Sequence, residues 1–164
     1  MIGEKGQLSG EYLLLIGSLI AVLMISAFII ANENELNIAM AAAKSGVSEG
    51  VASSSSAIYP KETFKEYDNR EGLKHPYSIS IVNISYSSSG IDENYGKQKI
   101  QFKVYAKASQ DYDKKELDSI GDRINYNLRK SIAMSFNTTN TTNKLYNPVF
   151  SNNYIFTTAN VVWV

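Results

Sequence analysis

From Tyr12 to Ala31 the chain reads YLLLIGSLIAVLMISAFIIA, 20 consecutive positions without a charge. As a helix rising 1.5 Å per residue this run is about 30 Å long, the thickness of a bilayer core, and it belongs in a membrane or an equally dry interior. Gly17 and Ala21 form a small-xxx-small pair within it, and Ser18, Ser26 and Ala27 add positions where another helix can approach closely. The pattern does not end at Ala31: NENELNIAMAAAKSGVSEGVASSSSAIY has no proline before Pro60, which predicts a helix continuing to about Ala57. Gly46, Gly50 and the serines at 53 to 56 read as soft positions or a frayed end, and the serines equally suit a flexible linker.

The remaining chain has shorter periods. Lys61 to His75 is charged and without clear periodicity, and reads as a loop. Tyr77 to Ser87 alternates with period two, first through Tyr77, Ile79 and Ile81 and then through Val82, Ile84 and Tyr86. That change of phase predicts a bulge or a strand covered on both sides. After a turn-like segment with Gly90, Asn94 and Gly96, residues 98–108 alternate cleanly through Ile100, Phe102, Val104 and Ala106, so the two strands are expected to form an antiparallel hairpin. Asp113 and Glu116 make a capping box, and Leu117, Ile120, Ile124, Leu128, Ile132 and Phe136 recur at helical spacing, which predicts an amphipathic helix over 114–135 packed on a sheet. Acidic residues in its first turns, with Arg129 and Lys130 toward its end, suit the helix dipole. Tyr154 to Val164 reads as a closing strand. The expected fold is α+β: a long hydrophobic helix as stalk, then a small antiparallel sheet with one packed amphipathic helix as head.

Composition removes most chemistry. Sixteen Lys plus Arg balance sixteen Asp plus Glu, and no basic stripe suits nucleic acid. There is no Cys and a single His, His75, so thiolate sites and histidine-based acid–base or metal constellations cannot be assembled. No phosphate-binding glycine loop or zinc pattern occurs, and neither a catalytic function nor a cofactor or metal is expected.

The residues before the apolar run are more specific. Lys5, Gly6, Gln7, Ser9, Glu11 and Leu15 stand in the order K-G-Q-x-S-x-E-x-x-x-L directly against it. This run resembles the class III signal peptide of archaeal type IV-like pilin precursors of methanogens, over about the first 30 residues. The resemblance implies cleavage by a prepilin peptidase between Gly6 and Gln7, ahead of the apolar helix, which then stays in the mature chain. It makes Glu11 the fifth mature residue, where such pilins carry a glutamate. A carboxylate at the head of packed apolar helices needs a cationic partner, and the new amino terminus of an incoming subunit is the expected one. Lys5 lies before the span while Glu33 and Glu35 follow it, which places the amino terminus in the cytoplasm and the rest outside.

The expected organisation is therefore a signal peptide over 1–6, an extended helix over 7–57 and an extracellular head over 58–164. Expected partners are the prepilin peptidase, the cytoplasmic membrane before assembly, and copies of itself or other pilins in an adhesion filament. Glu11, Leu15, Gly17 and Ala21 are the candidate assembly residues. Asn83, Asn137 and Asn140 lie in Asn-x-Ser/Thr sequons; Asn83 is expected to be buried in its strand and the other two to sit in a polar loop open to a glycan. The alternatives are a membrane-anchored binding module and a minor pilin or pseudopilin.

Overall fold

The computed structural model describes residues 4–52, 79–109 and 111–164, with side chains in the first helix from residue 10 onward. The elements are α1 (Glu4–Ala52), β1 (Ile79–Asp92), β2 (Lys97–Ala108), α2 (Lys114–Ser135), β3 (Val149–Phe150), β4 (Tyr154–Thr158) and β5 (Val162–Trp163). The fold is α+β, with a long apolar N-terminal helix, a second helix and one five-stranded sheet. Residues 53–57 of the expected helix, the 61–75 connection and the first two residues of the expected first strand lie outside the described residues.

Two compact units divide the chain, Met1–Asn37 and Ile38–Val164. In the first, α1 carries large apolar side chains all around its circumference. Every one from Tyr12 to Ile30 is exposed, from 37% at Ile16 to 76% at Leu14. The Ser18 hydroxyl donates to the Leu15 carbonyl at 2.8 Å, so that polar group is satisfied within the helix.

In the second unit, residues 38–52 of α1 change character. Ala39, Ala42, Ala43 and Val47 are at most 7% exposed, and Gly46 and Gly50 are buried with them. A Cβ built on Gly46 would lie 2.7 Å from Ser131 Oγ and closer still to the Asn127 carbonyl oxygen; on Gly50 it would lie 2.9 Å from the Ile124 Cα. These glycines are the points where α1 meets the backbone of α2, not soft positions in a helix.

Helix α2 begins as its sequence predicts. Asp113 accepts from the Glu116 amide at 2.7 Å and the Asp113 amide donates to the Glu116 carboxylate at 2.9 Å, closing both halves of the capping box. Ile120, Ile124, Leu128 and Ile132 are at most 2% exposed and face Ile100, Phe102, Val104 and Ala106 of the sheet, which are equally buried. Phe136 closes the helix and stacks on Phe156 at 5.8 Å.

The sheet order is β1-β2-β4-β3, with β5 also pairing β2. It is mixed: β1–β2 and β3–β4 are antiparallel, but β4 and β5 run parallel to β2. The expected antiparallel sheet is corrected because α2 is a crossover that carries the chain back to the start of β2, so the following long strand repeats its direction. The expected closing strand is split, since three steps along β2 from Phe102 to Tyr105 match four from Thr158 to Val162.

The predicted bulge is present between Ile81 and Asn83. Ile79, Ile81, Ile84 and Tyr86 all pair with the core row of β2, because Val82 takes up the extra position and is 59% exposed. Val82 therefore leaves the face that the sequence assigned it with Ile84 and Tyr86.

Candidate assembly surface and a pocket on the C-terminal unit

Lys5, Gly6, Gln7 and Ser9 lie in the first turns of α1, and Glu11 and Leu15 follow on the exposed part of the helix. A Cβ at Gly17 would have no atom within 4 Å, and Ala21 is exposed. Among the described residues Glu11 forms no ion pair. This 49-residue helix is the element long and apolar enough to cross a membrane: its most apolar stretch has a mean hydropathy of 2.9 and none of it is buried within the chain.

The three sequon asparagines are all exposed. Asn83 corrects the expectation of burial: the extra residue at Val82 turns it to the outer face of the sheet, opposite Tyr105. Asn137 follows the end of α2 with φ 54°, a left-handed position that asparagine tolerates. Asn140 lies in a loop held from several sides. Asn143 Oδ1 accepts from the amides of Leu145 and Asn147, both at 3.0 Å, and Thr142 donates its hydroxyl to the Pro148 carbonyl. Arg129, 9% exposed, donates to the Leu145 carbonyl at 3.1 Å and to the Thr158 hydroxyl, tying this loop to β4. Its guanidinium is a structural anchor instead of a surface charge balancing the helix dipole.

The charged groups at the far end of the sheet are locally paired. Lys99 Nζ sits 2.9 Å from Asp92 and the Asn94 amide donates to the same carboxylate at 3.0 Å. The Lys99 hydrogen bond, supported by the Asn94 and Tyr95 amides, holds Asp92 below its ordinary value of 3.8 against a smaller opposing effect of desolvation. On α2, burial first and then the neighbouring Tyr146 hydroxyl push Tyr126 above 10.0, with Arg129 opposing.

One concave feature was not foreseen. The first half of α2 and the segment joining β4 to β5 flank an open pocket of about 310 Å³ lined by Leu117, Asp118, Gly121, Asn125, Asn160 and Trp163. It exists because the extra residue between Thr158 and Val162 breaks the ladder there. The freed Ala159 carbonyl accepts from Asn125 Nδ2 at 2.9 Å. Asn125 is 6% exposed and its Oδ1 has no hydrogen-bond partner. Gly121 lets the strand segment close in, since a Cβ there would touch Val161 at 3.3 Å. The only sequence signal was the lone Gly121 in an otherwise regular helical pattern, and the insertion that opens the pocket has no signature of its own.

No group of three or more potential metal-ligating side chains occurs among the described residues. Comparison of the chain with protein-family models, with curated proteins and with solved structures found no match.

Proposed function

We propose that this chain is a structural pilin subunit: a precursor cut before Gln7 whose apolar helix first anchors it in the cytoplasmic membrane and then packs with other copies in an extracellular adhesion filament. The observation that carries this reading is the ordered set Lys5, Gly6, Gln7, Ser9, Glu11 and Leu15 placed directly before the apolar run. The surroundings of that run support it. A helix apolar around its whole circumference needs lipid or other apolar helices on every side, and from Tyr12 to Ile30 α1 finds neither among the described residues. Lipid supplies the first environment and identical helices the second. Because lipid tails are as apolar as leucine, transfer from one to the other gains little, and close packing at Gly17 and Ala21 would stabilise the polymer.

Glu11 has a specific task in this reading. A carboxylate among packed helices is stable only with a donor or cation beside it, and the new amino terminus of an entering subunit provides one. Gln7 in cyclised form would provide an amide donor in place of a charge. A membrane-anchored binding module requires the apolar helix alone and leaves the order of Gln7, Ser9 and Glu11 unexplained.

Mass spectrometry of the amino-terminal peptide from the native cell tests the proposal. A start at Gln7, free or cyclised, is expected in wild type, with full-length precursor accumulating in Gly6→Val, whose side chain crowds the scissile bond. A wild-type chain that retains Met1, or that starts after the apolar run, would overturn it.

A further inference from the structure

The pocket between α2 and the β4–β5 segment has no task in the filament reading. Two of its polar residues are committed to the chain itself. Asn125, 6% exposed, gives its Nδ2 to the Ala159 carbonyl at 2.9 Å, and Asp122 is engaged within the chain as well. Gly121 lets the crossing segment lie close: a Cβ there would meet Val161 at 3.3 Å and Trp163 Cζ2 at 3.9 Å, which seats the indole against the helix. The polar side chains that remain to meet a solute are Asp118 and Asn160, both exposed, and the half-buried Trp163.

We propose that this pocket binds one ring of an uncharged saccharide. Its three available groups differ in kind: Asp118 only accepts, the Trp163 indole N–H only donates, and the Asn160 amide does both. A ligand that satisfies all three must itself donate and accept at neighbouring positions, as the hydroxyls of a sugar do, and a hydroxyl bonded to a carboxylate makes a charge-assisted bond. The C–H face of a pyranose is apolar and suits the indole surface. A volume of about 310 Å³ lies near the lower limit of small-ligand sites, roughly 300 to 1,000 Å³, and admits a single ring.

Other solutes fit less well. Among the described residues no Lys, Arg or His lines the pocket, so a phosphate, sulfate or acidic sugar would meet Asp118 without a counter-charge. A cation gains little, because one carboxylate is available and α2 as a whole carries five Lys and Arg against three Asp and Glu. An apolar ligand would strip water from Asp118 and Asn160 without replacing its hydrogen bonds. The inference does not depend on the reading of α1, since a filament subunit and a lone anchored unit would present the same pocket.

Trp163 is the single tryptophan of the chain, so its fluorescence reports on the pocket alone. The full chain, held in a detergent without a sugar headgroup, is titrated with the methyl glycosides of glucose, galactose, mannose, N-acetylglucosamine and N-acetylgalactosamine. At least one should give a saturable change in emission with a dissociation constant in the millimolar range, since one ring makes few contacts. Methyl glucuronide should give none. Asp118→Ala and Asn160→Ala should each weaken the response at least fivefold with Tm unchanged, because both side chains are exposed. A chain from native cells that responds only after removal of its own glycans would assign the pocket to a glycan of a neighbouring copy, and a response without that treatment to a polysaccharide of another surface. No saturable response to any of the five sugars, an equal response in both variants, or an equal response to an uncharged glycine peptide would overturn the proposal and leave the filament reading standing.

Discussion

At the residue scale, the polar side chains of the C-terminal unit are mostly committed to local geometry. Asp92 shows this at the hairpin end, where Lys99 and the Asn94 amide converge on one carboxylate. Because its folded pKa is depressed, the stabilisation it contributes is fully present above the ordinary value of 3.8 and is lost as pH falls below that value toward the folded one. Thermal melts of the full chain should therefore lose stability as pH falls below about 4, and Asp92→Asn should flatten that part of the profile while lowering the plateau at pH 7. An unchanged slope in the variant would show that other carboxylates govern the acid transition. Arg129 is the counterexample to reading charge from position alone, since its place late in α2 suggests a solvent-facing cation and the fold uses it as a buried donor to the loop and β4.

At the element scale, α1 carries two different patterns of small residues. Gly17 and Ala21 in its first half are exposed among the described residues, whereas Ala39, Ala43, Gly46 and Gly50 form a buried stripe at helical spacing whose two glycines meet α2. Sequence alone does not distinguish the two, because both read as small residues three or four apart. The distinction predicts opposite phenotypes. Gly46→Val forces α1 away from the Asn127 carbonyl and Ser131, and should destabilise the C-terminal unit by about 1–3 kcal/mol. Its Tm in detergent should fall by on the order of 5–15 °C. Gly17→Val should leave that Tm unchanged and act only on packing between copies. Strand β1 makes a related point, as its bulge was legible in the change of alternation but the residue that leaves the ladder, Val82, was not.

At the scale of the whole molecule, the chain joins an apolar helical segment that is exposed among the described residues to a unit with an ordinary buried core. In the filament reading, the first packs the filament core and the second forms its exterior. Glu11 is where the two reported properties of α1, apolar surface and one carboxylate near its head, conflict. Glu11→Ala should leave processing at Gln7 intact but reduce sheared filaments roughly tenfold or more, equivalent to about 1.4 kcal/mol per subunit addition. Wild-type filament yield from that variant would deny the carboxylate its role.

Local features were readable from the residues themselves. The apolar run, the capping box at Asp113, the limits of α2 at Lys114 and Ser135 and the alternation of β2 depend on periods of two or 3.6 and on side chains within three positions of one another. What tertiary structure decided were relations between distant segments: the parallel pairing of β4 and β5 with β2, the exposure of Asn83, the meeting of Gly46 with Asn127, and the pocket beside Trp163. Hydrophobic periodicity states which face of an element is buried but carries no term for the direction of the next strand or for one residue added to a ladder, and those two quantities shape this protein's sheet and its pocket.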